Sequence, residues 1–432
     1  MVPVAGPVSA PHLGGEGTPI DHAVCMRRFP AGALLSQRLA EGRLLPEHID
    51  ALALRLAQFH AAAPHAAPQS PFGSPASVES RLQAVLDQLA AQHADASPVG
   101  AWALARCAAL HEVLAQRKAD GAVREVHGDL HLANTVVLAD GEVTAFDCIE
   151  FDPALRWIDV MEDIAFTCMD LKARGRPELA WRLLDAYLQH SGDHAGLQVL
   201  RFYEVGRALV RALVGQLTPP GGSAAAVDYL ACARRLVQEG DRGPRLALTC
   251  GVSGSGKSVL AAQLLEVTGA VRLRSDVERK RLFGLAPLHR SREAGVDLYT
   301  AEATQRTFEQ LRERAQRALQ AGYPVIVDAA FLRRAERDRF RQLAGELGVP
   351  FVVFHCTAGL RTLRERVADR AAVGADPSEA TPEVLARQLE QQEAPAADEG
   401  TWTLQVDTER SLDLAALSAR WRDGSDAPAC TA

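Results

Sequence analysis

Lysine is nearly missing from this chain. Its 432 residues include four, Lys118, Lys172, Lys257 and Lys280, and every other basic side chain apart from histidine is arginine. A GC-rich coding sequence accounts for the bias, but it lets each lysine be weighed singly. No two of the eight cysteines form a C-x-x-C pair, which removes the usual zinc and redox motifs. No apolar run reaches the ~20 residues that cross a bilayer, and no basic segment with a following apolar run opens the chain as a secretory signal would. The expectation is a cytoplasmic protein without a membrane partner. The net charge of −7 has the wrong sign for broad binding to nucleic acid or anionic lipid. Hydrophobic content of 47% and charged content of 23% are those of a globular protein, and the length suggests two or three domains.

The chain changes character near residue 240. The segment "QLTPPGGSAAA" (216–226) gathers prolines and glycines and reads as a breaker, and a helical stretch to about Gly240 follows it. Domains are expected at 1–240 and 241–432. The first half is mostly helical, with apolar periodicity at Ile49, Leu52, Leu56 and Phe59 and further helical patterns at 78–92, 101–117, 179–189 and 199–214. The second half alternates short apolar strands at 246–250, 271–273, 324–327, 351–355 and 403–406 with helical patterns. That alternation implies an α/β architecture with a parallel sheet flanked by helices.

"GVSGSGKS" at Gly251–Ser258 fits G-x-x-x-x-G-K-[ST] in full, between an apolar strand and a helical pattern. Gly251, Gly254 and Gly256 allow a tight turn. The N–H groups of Val252, Ser253 and Ser255 then join those of the glycines in pointing at phosphate oxygens. Lys257 would bridge the terminal phosphates, and Ser258 would offer its hydroxyl to magnesium. ATP and Mg2+ are therefore the expected cofactors. No N-K-x-D motif is present to favour a GTPase.

Downstream, Asp276 follows the second strand at the start of a helix, where it could take a proton from an acceptor hydroxyl or simply cap the helix. Asp328 ends a buried strand, placed for magnesium or for a turn. Arg366 and Arg370 lie four apart on one helix face. They could clamp a transferring phosphoryl group under a closing lid, or form a solvated face. Together the P-loop, Arg274–Asp276, Asp328 and the 366–370 segment resemble the P-loop kinases that include zeta toxins, chloramphenicol phosphotransferase and polynucleotide kinase domains. The resemblance, over roughly 243–425, implies phosphorylation of a hydroxyl on an unidentified acceptor.

The first half holds a second motif, "VHGDLHLANTVV" at Val126–Val137. Asp129 and Asn134 are five apart, the spacing of a kinase catalytic-loop aspartate and its magnesium-binding asparagine. If Asp140-Gly141 forms a two-residue hairpin turn, Asn134 falls opposite Asp147, bringing two hard oxygen ligands together. His127, Asp129 and His131 alternate at a spacing that also suits a transition-metal site, though no further ligand cluster accompanies them; an acidic loop that merely caps structure is the other alternative. "HGDLHLAN" with "FDCIEFDP" resembles aminoglycoside phosphotransferases over about 20–235, which implies a mostly helical protein-kinase-like C-lobe. By that resemblance Asp129 is the base, Asn134 and Asp147 hold magnesium, and Asp163 braces the loop. The domain order resembles the bifunctional aminoglycoside phosphotransferase/ATP-binding group.

What the first motif lacks is its partner. Kinases of this kind hold the α- and β-phosphates with a lysine from an N-lobe strand, and no lysine precedes Lys118. "GGEG" at 14–17 is not a full glycine-rich loop, and "IDHAVCMRRFP" reads as one last N-lobe strand. The N-lobe is expected to be truncated, through loss or a late start. Little activity is expected there, with turnover at the P-loop. The alternatives are an ATP-binding regulatory protein whose first half senses a ligand, and a nucleic-acid-end kinase. The acidic net charge argues against nucleic acid as a partner. Oligomeric state is not legible.

Overall fold

A computed structural model describes the whole chain except residues 16, 27, 91–95, 218–226, 241–242, 292–294, 296–297, 299, 375 and 424–432. Most of the breaker segment thus lies outside the described residues. The chain opens with β1 (Val2–Ala5), β2 (His12–Leu13) and β3 (Asp21–Ala23), an antiparallel sheet in the order β2-β1-β3. Sequence patterning anticipates only the last of these, because two- to four-residue strands carry too little alternation to see.

Helices α1 (Leu35–Ala40), α2 (Pro46–Ala62), α3 (Pro75–Ala90), α4 (Ser97–Ala109) and α5 (His111–Ala119) follow. The single helix expected over 101–117 is broken at Leu110, which ends α4 and precedes α5. Then come β4 (Val123–Glu125), the hairpin β5 (Thr135–Val137) and β6 (Val143–Ala145), and β7 (Trp157–Asp159), which pairs antiparallel with β4. Helices α6 (Val160–Ala173), α7 (Pro177–Ser191), α8 (Leu197–Leu217) and α9 (Tyr229–Glu239) complete the first half. Helix α6 is buried from Val160 to Lys172, so it shows no amphipathic stripe to read.

The second half contains β8 (Leu246–Cys250), α10 (Lys257–Thr268), β9 (Val271–Arg274), α11 (Ser275–Leu282), α12 (Ala301–Gln320) and β10 (Val325–Asp328). It continues with α13 (Arg334–Leu347), β11 (Phe351–Thr357), α14 (Leu360–Val373), α15 (Pro382–Gln391), β12 (Thr403–Asp407) and α16 (Leu414–Asp423). The five strands form a parallel sheet in the order β12-β11-β8-β10-β9. Every residue of β8 and β10 is buried. Such unbroken apolar runs are what a sheet covered on both faces requires.

The two halves share one continuous hydrophobic core. Helix α7 is the joint. Its Trp181 packs edge-on to Tyr323, with ring centroids 6.2 Å apart. Gly269, with φ +70°, ends α10, and a Cβ there would sit 2.8 Å from the Trp181 indole. Only glycine permits both that backbone conformation and that approach. Arg182 of α7 reaches Asp50 of α2 at 2.7 Å and Glu266 of α10 at 3.1 Å. Deeper in, Arg272 of β9 pairs with Asp185 of α7 at 2.6 Å, both side chains under 10% exposed.

Replacing Arg272 by alanine would leave Asp185 buried without its partner. The expected loss is about 3–5 kcal/mol of unfolding free energy, read as a lower urea midpoint. A change below ~1 kcal/mol would show that the joint is held by apolar packing alone.

Candidate functional site

The P-loop leaves the C-terminal end of β8, the central strand. Gly251, Gly254 and Gly256 have φ of +134°, +83° and +83°. At Gly254 a Cβ would lie 2.6 Å from the Leu363 carbonyl oxygen, so a side chain there would push α14 away. Gly256 caps α10, whose N-terminus faces the loop. Lys257 is half-buried and donates to the Val252 carbonyl at 2.7 Å. Burial pulls its pKa below the ordinary lysine value, and Asp328 and Asp276 partly oppose that. A bound phosphate would supply the missing counter-charge.

One cavity of about 1200 Å3 opens beside the loop, and Ser253, Lys257, Ser258, Asp276, Asp328 and Arg370 all line it. Asp276 is the second residue of α11. No side chain caps that helix, whose N-cap is Arg274, so Asp276 is not spent on capping. Asp328 ends β10, 4% exposed. The Thr249 hydroxyl donates to its Oδ1 at 3.4 Å, while its Oδ2 is buried with no hydrogen-bond partner among the described residues. Arg274 lies 3.7 Å from that oxygen. A carboxylate oxygen that carries no hydrogen bond, in the same cavity as a serine side chain, suits a hard cation such as Mg2+. Arg370 also has a buried Nη2 with no hydrogen-bond partner among the described residues.

Arg366 goes elsewhere. It donates to the Gly254 carbonyl at 3.2 Å and to the Thr408 carbonyl and hydroxyl at 3.0 and 2.9 Å. It lines a second cavity of about 450 Å3 with Gly256, Val259, Thr408, Leu412 and Leu414. The two arginines expected to act together are therefore divided between two cavities. A helix-face argument cannot say which neighbour each end of the face meets. Thr408 and Gln388, whose amide oxygen accepts from the Ser253 N–H at 2.7 Å, carry no motif signal and were not legible.

In the first half, the catalytic-type loop is built as a unit. Asp163 of α6 accepts from the N–H groups of His127 and Gly128 at 3.2 and 3.0 Å and from His60 at 3.2 Å. The Asn134 amide donates to Asp129 Oδ2 at 2.9 Å. Burial pushes the Asp129 carboxyl up, but the nearby His131 and the charges of Arg211 and Arg207 outweigh it and hold the group below its ordinary value. His127 Nε2 hydrogen-bonds the Phe146 carbonyl oxygen at 2.8 Å, a local structural role. Among the described residues no group of three histidines, cysteines or carboxylates is arranged to hold a metal ion.

The hairpin register corrects one expectation. Thr135 pairs with Ala145 and Val137 with Val143, and the Leu138 N–H reaches the Glu142 carbonyl at 2.7 Å. The loop therefore has three residues, closed by Gly141 at φ +88°, the turn-plus-bulge form. Asn134 stands opposite Phe146, whose N–H donates to its carbonyl at 3.0 Å. Asp147 is one residue further on, exposed, with φ +63°. Lys118 donates to the Ser70 carbonyl, at the end of α5.

Comparison with known proteins gives a separate match for each half. Residues 2–203 match the model of the phosphotransferase enzyme family, and residues 246–395 match an AAA domain. Uncharacterised proteins of Mycobacterium tuberculosis and Mycobacterium bovis are 32% identical over 417 residues, covering 93% of this chain and 79% of theirs. The chain belongs to this two-part phosphotransferase/ATP-binding family. Both halves are thus kinase-type domains, the second of the P-loop kind. Among solved structures, a gluconokinase of Sinorhizobium meliloti is 25% identical over 42% of this chain and 91% of its own, with a TM-score of 0.29. The APS kinase of Mycobacterium tuberculosis, solved with AMPPNP and APS, is 23% identical over 41% and 96%, also at 0.29. No described helix of this family member is long and apolar enough to cross a membrane.

The Asp163 brace yields a pH test. Its folded pKa is lowered: burial pushes it up, but His60, His127 and Arg207 more than offset that. Its stabilisation should be complete above the ordinary value of 3.8 and fall away as pH drops through the lowered folded value. Asp163→Asn should be less stable by about 1–3 kcal/mol at neutral pH. Its loss of stability below the ordinary carboxylate range should also be shallower than the parent's, as measured by urea denaturation across pH.

Proposed function

We propose that the chain is an ATP-dependent phosphotransferase whose turnover comes from the P-loop half, moving the γ-phosphate of ATP onto a hydroxyl of a small-molecule acceptor. The observation that carries this is the shared cavity: Lys257, Ser258, Asp276, Asp328 and Arg370 converge on one space beside the P-loop. Its volume of about 1200 Å3 leaves room for an acceptor next to the phosphates, on the scale of small-molecule sites.

The P-loop N–H groups and Lys257 would hold the β- and γ-phosphates. Ser258 and Asp328 would hold Mg2+, which when bound neutralises charge on the phosphates. Asp276 accepts the acceptor hydroxyl proton as that oxygen attacks the γ-phosphorus, and the β–γ bridging oxygen departs with ADP. Arg370 turns its guanidinium toward the transferring oxygens. The smaller cavity, with Val259, Leu412 and Leu414 on its wall and Arg366 at its edge, would seat the adenine ring.

Among the described residues the first half has the base side of a kinase site without a phosphate-holding side. Asp129 and Asn134 are in hydrogen-bond contact, yet no lysine precedes Lys118 in this chain, and Lys118 is bound to Ser70. Positioning of the triphosphate supplies most of phosphoryl-transfer catalysis, and turnover is assigned to the half in which the P-loop and Lys257 line one cavity with Asp276 and Asp328.

Lys257→Ala should reduce ATP consumption by roughly 100-fold or more, whereas Asp129→Ala should leave it near the parental rate. Asp276→Asn should lower kcat by about 100- to 10,000-fold with little change in KM for ATP. A steady-state assay that finds the Lys257 and Asp129 effects reversed would move the activity to the first half.

A further inference from the structure

Helix α15 reaches into the P-loop from 135 residues downstream. Gln388 Oε1 accepts the Ser253 backbone N–H at 2.7 Å, within the large cavity. A P-loop N–H of this kind otherwise turns toward a phosphate oxygen. The segment that carries α15 is also fastened on the far side of the cavity. Asp376 lies 3.2 Å from Arg274, and Glu379 lies 3.0 Å from Lys280 and accepts from the Ser291 hydroxyl at 2.6 Å. Arg290 donates to the Gly374 carbonyl at 3.0 Å. The segment therefore spans the cavity from α11 to the P-loop.

The fastenings differ in kind. Those at α11 are ion pairs in which carboxylates meet cations. The one at the P-loop is a neutral amide oxygen on a backbone N–H. A phosphate oxygen is a stronger, charge-assisted acceptor for the same N–H, so this is the contact that a bound nucleotide can displace. The loop's two sides also differ. Ser253 lines the large cavity with Asp276 and Asp328, whereas Gly256 and Val259 line the small one. Ser253 thus faces the transferring end of the nucleotide.

We propose that Gln388 is a placeholder for the terminal phosphate: its amide oxygen occupies that phosphate's seat on Ser253 until ATP, but not ADP, displaces it and frees the α15 end of the segment that spans the cavity. This rests on the P-loop reading above. It assigns Gln388 a positioning and nucleotide-discriminating role that acts through Ser253 and α15, separate from proton transfer by Asp276. After displacement, the amide swings out of the seat while Asp376 and Glu379 still tether the segment at α11.

The test is equilibrium binding of Mg2+ with ADP and with the non-hydrolysable β,γ-imido analogue of ATP, using the full chain and its Gln388→Ala, Gln388→Glu and Lys257→Ala variants. Removing the competing acceptor should tighten the triphosphate analogue by roughly threefold to tenfold in Gln388→Ala. Affinity for ADP should stay within about twofold of the parent, which also reports an intact fold. Gln388→Glu should weaken the analogue by about tenfold or more, because a carboxylate would face the phosphate. The proposal is overturned if Gln388→Ala binds the analogue equally or more weakly, or if both nucleotides shift together. If instead Lys257→Ala binds both nucleotides like the parent, the P-loop reading itself fails, whatever Gln388 does.

Discussion

A buried guanidinium sets the geometry on which both halves depend. Arg272 pairs with Asp185 of α7 and donates to the Ser258 carbonyl at 3.2 Å. One side chain therefore ties the edge strand β9 to the first half and to the first turn of α10. Burial disfavours its charge, but Asp185 more than offsets this, so its pKa is raised. Such a pair contributes modestly to net stability, yet any other docking of the halves leaves a charge buried alone. The P-loop turn and the helix that follows it are thus fixed against a second domain as well as against their own sheet.

That constraint gives the first half a role that needs no turnover. Its loop is assembled with care: Asp163 holds the backbone of His127 and Gly128, and Asn134 holds Asp129. What its helices present to the second half is a surface of matched shape and charge. Trp181 fills the space left by Gly269, Arg182 reaches Glu266, and Arg281 donates to the Gln189 carbonyl at 2.6 Å. His194 is held neutral, its pKa lowered to about 3 by burial and by Arg314. It can therefore accept a hydrogen bond from Arg314 at 2.8 Å.

The parts legible in the sequence are those with strong local signals. All five strands of the parallel sheet are visible because they are short, apolar and separated by helical periodicity. The P-loop is visible because its glycines and lysine are demanded by phosphate geometry. Helix α6 hides because burial on all sides erases its stripe. The hairpin slips by one residue because Gly141, in the left-handed region, lengthens the loop to three. Asn134 then meets Asp129 and Phe146 rather than Asp147. Arg366 and Arg370 share a helix face, but tertiary packing sends one to Thr408 and the other to the main cavity. Gln388 is invisible for the same reason, since nothing local links it to Ser253.

The central claim is that nucleotide is handled by the second half. Amide hydrogen exchange with and without Mg2+ and ATP tests it most directly, because binding raises protection where contacts form. The account predicts new protection across 251–260 and at β10's end, with residues 126–137 unchanged. Protection confined to 126–137, with the P-loop exchanging as in the free protein, would contradict it.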